Sequence, residues 1–150
     1  MKIRQNILDN LLAVEEQLRK GADSPKEFVS VAAYAHLTKT APDGAVIWTD
    51  AFRQALQENE AIHIPEAKEP YWIDGTVQIP SNRTIVADPA AVIRLCKGVK
   101  VLMFRNEHPL DGTHEPQDIT NPDCNISITG GYWDNNCEHV LGYGKHGLVC

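Results

Sequence analysis

The residues with the clearest chemical potential lie in one stretch, NISITGGYWDNN, which spans residues 125–136. Alternating polar and apolar residues run into a glycine pair, and two aromatics, a carboxylate and two amides follow. Aromatic rings can stack on sugar faces, while carboxylates and amides hydrogen-bond to hydroxyls. The stretch therefore predicts a substrate-binding group, with a hydrogen-bonded turn as the alternative. Its members would be Tyr132, Trp133, Asp134 and Asn136.

Metal chemistry has weaker support in the sequence. Zinc ligands could be drawn from Cys124, Cys137, His139 and His146, but these intervals match no standard zinc motif. Free thiols are the better interpretation of the cysteines. Three carboxylates in a turn-rich insertion, residues 106–124, are only a loose set for calcium. They are Asp111, Glu115 and Asp118. We therefore assign no metal site from the sequence.

Composition excludes several classes of partner. The formal net charge of −6 argues against nucleic acid or an anionic membrane, which need a basic protein surface. No apolar run approaches the length of a membrane span. The first residues lack the uninterrupted apolar region of a signal peptide, so the sequence as given predicts a cytoplasmic protein. An extracellular location would follow if a leader had been removed.

The N-terminal segment, residues 1–22, is predicted to be an amphipathic helix. One face carries an apolar stripe, and a glycine stands where a helix commonly ends. Packing of the stripe against the rest of the chain is the favoured interpretation. Self-association as a short coiled coil is the alternative. The stripe consists of Ile3, Ile7, Leu11, Val14 and Leu18.

The next segments give one conflict and one clear helix. Ser24, Pro25 and Glu27 form a capping box that predicts a helix, whereas FVSVAAYA has the alternation of a strand. Further on, DAFRQALQEN predicts a short amphipathic helix capped by Thr49 or Asp50.

Beyond residue 60 the apolar period changes from that of a helix to that of strands. AIHIP, YWIDGTVQIP, RTIVAD, AVIRL, VKVLMF and NISITGG are short, β-rich and separated by turn residues. Polar or glycine corners, rather than two-residue hairpin turns, follow these segments. That pattern favours a parallel β-solenoid over a sandwich or barrel. The side chains expected to point inward are Val77, Ile79, Ile85, Val92, Leu95, Val101, Met103, Ile126 and Ile128.

Two longer segments, VSVAAYAHLTKTAPDGAVIWTDAFRQAL and AIHIPEAKEPYWIDGTVQIPSNRTIVADPAAVIRL, carry a family resemblance. Together with NISITGGYWDNN they resemble the N-terminal part of right-handed parallel β-helix proteins of the pectin-lyase-like superfamily, both polygalacturonase-like and pectate-lyase-like. The resemblance implies a mainly β solenoid and favours a strand over Phe28 to Tyr34. The matching positions are Val29 to Val31, Asp43-Gly44, Thr49 to Phe52, Ile62 to Pro65 and Val77 to Ile85.

The resemblance also implies a polysaccharide or oligosaccharide partner. The favoured prediction is glycoside hydrolase or polysaccharide lyase activity. The alternative is a non-catalytic, tailspike-like or adhesin-like β-helix. The family's hydrolytic motifs are incomplete, so catalytic residues stay unassigned. Asn121-Pro122-Asp123 reads as a turn, whereas His146 stands in a near-match to Gly-His-Gly and joins the substrate-binding candidates. No cofactor is expected, apart from calcium if the protein is a lyase.

These inferences divide the chain in two. Residues 1–22 form the N-terminal helix, and residues 23–150 form the first coils of the β-helix, with residues 50–58 covering its open end. The last residues, GKHGLVC, read as the start of another strand. The sequence thus predicts a β-helix that continues beyond residue 150 and keeps most of its reacting groups there.

Overall fold

The computed structural model describes residues 7, 9–14, 26–108, 123–136 and 148–149. The protein is mainly β, and its strands curl into a half-barrel sheet. Residues 9–14 are helical and form α1. Within the described ranges, no helix combines the length and the apolar character needed to cross a bilayer.

The remaining helices and strands follow in chain order. They are β1 (Val29–Ser30), a 3-10 helix (Val31–Leu37), β2 (Lys39–Thr40), β3 (Val46–Ile47), α2 (Thr49–Glu58), β4 (Ala61–Ile64), β5 (Tyr71–Ile73), β6 (Val77–Ile79), β7 (Arg83–Leu95), β8 (Phe104–Asn106), β9 (Ile126–Asp134) and β10 (Leu148–Val149).

Parallel pairing dominates the sheets. Strand β7 pairs with β4 through its first half and with β5 through its second half, and β9 pairs in parallel along both halves of β7. A second sheet has the parallel order β6, β8, β10. The described pairings contain one antiparallel pair, the short hairpin of β2 and β3. The expectation that strands turn corners rather than double back therefore holds for the strands after residue 60.

Identical apolar residues lie in register on neighbouring strands. Ile62 lies beside Ile85, and Ile85 lies beside Ile128, on three successive strands. Because alternate side chains point to opposite faces, one such column fixes the facing of all three strands. The apolar columns merge into one core, whose largest fully buried members are Phe52, Phe104, Leu56, Ile62, Ile64, Ile73, Ile79, Ile85, Ile93, Leu95, Met103 and Val31.

Helix α2 covers part of this core. Its buried positions Ala51, Phe52, Ala55 and Leu56 recur at helical spacing, and Phe52 packs edge-to-face on Phe104 with ring centroids 5.5 Å apart. The helix confirms the sequence prediction for this segment. The expected cap is wrong, however. Trp48 occupies the N-cap without a side-chain bond, because the Thr49 hydroxyl is engaged outside the helix.

The expected strand over Phe28 to Tyr34 is confirmed only for Val29–Ser30, which pairs with β4. A 3-10 helix follows, capped by the Ser30 hydroxyl, which accepts a hydrogen bond from the amide of Ala32 at 3.2 Å. Serine oxygens close such turns locally, and this bond competes with continuation of the strand. Ser24 and Pro25 of the predicted capping box lie outside the described residues.

Three further expectations are corrected. Val92 is not in the core, because Ala91, Ile93 and Leu95 take the inward positions of β7. VKVLMF is mostly irregular, and its strand begins only at Phe104. The described members of the α1 stripe are not buried against the rest of the chain. They are more than half exposed: Ile7, 54%; Leu11, 58%; Val14, 52%.

Candidate functional site

A cleft of about 560 Å³ opens where β5, β7 and β9 end. The carboxyl ends of parallel strands meet at one edge of a sheet, so the residues that follow them are brought together. Asp74 follows β5, Cys96 and Lys97 follow β7, and Asn136 follows β9. The β2–β3 hairpin forms the facing wall. We call this the Trp72 cleft, after the largest side chain that lines it.

The cleft extends onto the outer face of the sheet. Trp72 on β5 lies in register with Arg94 on β7, which lies in register with Asp134 on β9. Their chain neighbours Ile73, Ile93 and Leu95 are buried in the core. Strict alternation therefore sends the aromatic, the cation and the carboxylate outward as one column.

Arg94 is fixed by both members of this column. Its Nε donates a 2.6 Å hydrogen bond to Oδ2 of Asp134, and its guanidinium carbon lies 5.6 Å from the centroid of the Trp72 ring. Charge-assisted bonds and cation–π contacts both reduce the freedom of a long side chain. The described hydrogen bonds use only Nε, so the two terminal nitrogens keep their donors for another group.

Asp134 also organises the end of β9. Its Oδ1 accepts the amide of Asn136 at 2.7 Å, and the Asn136 side-chain amide donates to the carbonyl of Leu95 at 3.0 Å. Asn136 has a φ of 51°, a left-handed conformation that asparagine tolerates better than most residues. The turn thus joins the ends of two strands at the cleft wall.

Two carboxylates enter the cleft from different loops. Asp43 belongs to the β2–β3 turn, where its Oδ1 accepts the amide of Ala45 at 3.1 Å. Oδ1 of Asp74 accepts the hydroxyl of Thr49 at 2.5 Å, and that hydroxyl in turn accepts the Asp74 amide at 2.9 Å. Each carboxylate therefore has one oxygen held, that of Asp43 by its own turn and that of Asp74 by Thr49 of α2, and another available to the cleft.

The thiol of Cys96 responds to the negative charges that line the cleft. Burial, together with the negative charges of Asp74 and Asp43, raises the pKa of its thiol to about 11. A thiolate is disfavoured there at neutral pH, so Cys96 is a poor nucleophile in this setting. The cleft is suited to polar and apolar contact rather than thiol chemistry.

The structure separates the residues predicted from NISITGGYWDNN. Asn136 lines the Trp72 cleft, and Asp134 holds Arg94 beside it. Tyr132 is 61% exposed and lies outside the lining. Trp133 faces inward, where it packs edge-to-face on Phe104 at 5.2 Å and donates its indole N–H to the Gly130 carbonyl at 2.9 Å. A packing role explains all of these Trp133 contacts.

Several other candidates lie outside the described residues. They are His146 and the near-match to Gly-His-Gly, the calcium set Asp111, Glu115 and Asp118, and most of the imagined zinc set, Cys137, His139 and His146. Their assignments stay predictions. Asp123, from the Asn-Pro-Asp turn, is described and accepts a 3.1 Å hydrogen bond from Ser81.

No protein-family model, curated protein or solved structure matches the chain. The function must therefore be argued from the geometry of the Trp72 cleft. Fold alone would not be enough in any case, since one fold hosts many activities.

Sequence reasoning missed most of the cleft. Asp43-Gly44 was interpreted as turn chemistry, and Trp72 and Asp74 were assigned to the β-rich segment YWIDGTVQIP. A signal was present in Arg94, a charged residue inside the apolar strand AVIRL, which has to point away from the core. Its alignment with Trp72 depends on a strand register that one sequence does not reveal.

Proposed function

We propose that the chain forms the first coils of a right-handed parallel β-helix of the pectin-lyase-like type, and that it binds a polysaccharide in the Trp72 cleft. The fold part of the proposal is supported by three parallel columns of strands. β4, β7 and β9 form the first, β5, β7 and β9 the second, and β6, β8 and β10 the third. Coils of a solenoid would give this order, because such a chain visits its faces in turn and returns in register.

A repeated turn also supports the coils. Asn82 and Asn125 precede the aligned halves of β7 and β9, and both have left-handed backbones with φ of 60° and 57°. The Asn125 side-chain amide donates to the Asn82 side-chain oxygen at 2.9 Å. Successive turns of one repeat would explain why two neighbouring strands begin with the same residue in the same unusual conformation. The right hand follows the strong preference of parallel crossover connections.

The observation that carries the functional proposal is the composition of the Trp72 cleft. An indole, fixed polar donors and carboxylate acceptors surround a space of about 560 Å³, within the usual range for a ligand site. Sugars present apolar faces together with hydroxyl donors and acceptors. Arg94 and Asn136 can donate hydrogen bonds, while Asp43 and Asp74 can accept them. Because the cleft offers both an apolar ring and hydrogen-bonding groups, it fits a carbohydrate better than a purely apolar ligand.

Cleavage of the bound polysaccharide is the reaction we propose to follow binding. Glycosidic hydrolysis needs two carboxyl groups on opposite sides of the bond, one to protonate the leaving oxygen and one to activate water or attack the sugar. Asp43 and Asp74 line the cleft from separate loops and are the candidates for such a pair. The alternative is a β-helix that binds carbohydrate without cutting it.

A glycan panel tests both parts of the proposal. The full chain would be titrated with polyuronate and neutral oligosaccharides by calorimetry, alongside Trp72→Ala and a matched control, Tyr132→Ala. Trp72 lines the cleft, whereas Tyr132 is an exposed aromatic outside it. We expect Trp72→Ala to weaken binding at least about tenfold, since loss of one ring contact worth about 1.5 kcal/mol has that effect. Tyr132→Ala should bind as the parent does.

Product analysis then separates cleavage from binding. New reducing ends without ultraviolet absorbance indicate hydrolysis, and absorbance from an unsaturated product indicates elimination. Asp43→Asn and Asp74→Asn should abolish product while leaving binding within a few-fold. Binding without product would support the non-catalytic alternative. Equal binding by the Trp72→Ala and Tyr132→Ala variants would exclude the cleft.

A further inference from the structure

A second group of side chains lies well apart in sequence from the Trp72 cleft residues. Glu107 and His108 follow β8, and Asp123 precedes β9, so the three mark both ends of the segment 109–122. One ligand atom from each lies within 4.8 Å of the other two. The group borders a cavity of about 440 Å³ that also touches Ser81 and Asn82.

Charge balance around Asp123 is unusual. Its side chain is only 4% exposed, and its partner among the described ion pairs is His108, which carries a charge only when protonated. Its oxygens accept hydrogen bonds from the Ser81 hydroxyl at 3.1 Å and from the backbone amide of His108. A second carboxylate, Glu107, stands within the same 4.8 Å group. Buried charges are normally paired or bound to a metal, and two close carboxylates repel each other.

We propose that Glu107, His108 and Asp123 bind a divalent first-row transition metal ion, with Zn²⁺ as the best-suited probe. Two carboxylates neutralise the ion, and the imidazole selects against Ca²⁺ and Mg²⁺, which prefer oxygen-only ligand sets. Three protein ligands leave at least one position for water. This inference is independent of the function proposed for the Trp72 cleft.

A closing movement of about 1 Å would bring the three ligand atoms onto one ion. Ligand atoms bonded to one tetrahedral zinc ion at about 2.0–2.2 Å lie about 3.3–3.6 Å apart, whereas those of this group lie within 4.8 Å of one another. Nδ1 of His108 is already 3.1 Å from Oδ1 of Asp123. Because the His108 side chain is 68% exposed, it can rotate without disturbing the core. Asp123 accepts a hydrogen bond from Ser81, which lies between β6 and β7. A bound metal would therefore link His108 and Glu107, before segment 109–122, to an Asp123 that is already held in place.

Metal titration of the full chain tests the proposal. Zn²⁺ affinity and stoichiometry would be measured by competition with a chromophoric chelator, for the parent and for His108→Ala and Glu107→Gln. We expect one ion per chain at this site, and at least a tenfold loss of affinity in each variant, since loss of even an outer-layer partner commonly costs about 10–100-fold. His36→Ala, which removes another exposed histidine, is the control and should bind as the parent does.

Cobalt gives a second readout that does not depend on affinity. The visible absorption of bound Co²⁺ reports its ligands, so His108→Ala should change the spectrum, whereas His36→Ala should not. Absence of zinc binding by the parent would overturn the proposal. It would also be overturned if His108→Ala bound like the parent, if cysteine alkylation rather than His108→Ala removed the ion, or if Ca²⁺ displaced Zn²⁺ at equal concentration. His108→Ala is expected to fold, because the side chain it removes is exposed.

Discussion

Arg94 and Asp134 form an ion pair across two parallel strands, with Nε 2.6 Å from Oδ2 and each side chain about a third exposed or less. The pair lies beside the Trp72 ring and directly above the core residues of the same strands. Arg94 therefore reaches the cleft in a set orientation before any ligand arrives. Such preorganisation lowers the entropy lost on binding.

Removal of the acidic partner should loosen this arrangement. Asp134→Asn leaves a partly buried guanidinium without its counter-charge, and we expect the free energy of unfolding to fall by about 1.5 kcal/mol, the lower end for charge-assisted hydrogen bonds. Urea denaturation of Asp134→Asn, Arg94→Met and the double variant would isolate the coupling. The exposed pair Lys39–Asp50 supplies the comparison, and Lys39→Met should change stability less. Additive single effects would contradict coupling of Arg94 to Asp134.

Two tryptophans should respond in opposite ways. Trp133 packs on Phe104, so Trp133→Ala should lower the free energy of unfolding by up to about 3 kcal/mol, toward the lower end for a tryptophan because it is only partly buried. Trp72→Ala should cost less stability and more glycan affinity, because Trp72 lies on the outer face. Thermal unfolding and calorimetric titration measured on both variants check this. Equal losses of affinity at unchanged stability would place Trp133 in the binding site after all.

Gly130 is required where β9 runs beside Ala87 of β7. Its φ is 76°, and an added Cβ would lie 2.0 Å from the carbonyl oxygen of Ala87. Gly130→Ala should therefore lower the free energy of unfolding by about 2–5 kcal/mol, combining about 1–2 for the left-handed backbone with about 1–3 for the forced shift. Gly44→Ala is a matched control. Gly44 has a φ of 87° but no atom within 4 Å of the new Cβ, so only the backbone cost remains.

Denaturation midpoints of the two glycine variants would separate these effects. Similar losses would show that the close approach of β9 to Ala87 does not restrict position 130. Gly131→Ala would extend the test to the second glycine of NISITGGYWDNN, because an added Cβ there would lie 2.9 Å from the Ala87 side chain.

The strands and most of their facing could be predicted from the sequence, because alternation with period two carries that information locally. Ile79, Ile85, Leu95 and Met103 are buried as expected. Val92 was expected to point inward as one of the apolar residues of the β-rich segments. In β7 the inward position instead belongs to Ala91. Alanine is small and weakly hydrophobic, so it contributes little to an apolar sequence pattern.

The candidate site was mostly beyond prediction for a different reason. Asp43, Trp72, Arg94 and Asn136 are distant in sequence and meet only through the pairing of β3, β5, β7 and β9. Register between strands is a long-range property that a single sequence hardly encodes. Asn136 could be predicted because it is the last residue of the motif NISITGGYWDNN. For Trp72, the sequence pattern indicated only that it lies in a strand.

Cys96 should resist alkylation in proportion to its raised pKa. At pH 8 a thiol with a pKa of about 11 is almost wholly protonated, so its reaction with iodoacetamide should lag behind that of the exposed Cys124. The rate at Cys96 should then rise as pH approaches 11, provided that the fold persists. Peptide mapping by mass spectrometry measures both sites in one sample. Asp74→Asn should shift the Cys96 profile to lower pH, because it removes one of the negative charges that disfavour the thiolate.

The repeated asparagine turn gives the sharpest test of the coil proposal. Asn125 has a φ of 57° and donates a side-chain hydrogen bond to Asn82. Asn125→Ala should be less stable than Asn125→Gly by about 1 kcal/mol, because both lose the bond but only alanine keeps a Cβ that strains a left-handed backbone. The same order is expected at Asn82, whose φ is 60°. Urea denaturation of the four variants provides the measurement. If alanine were as stable as glycine at either position, that turn would not be left-handed, and the repeat that supports successive coils would lose its basis.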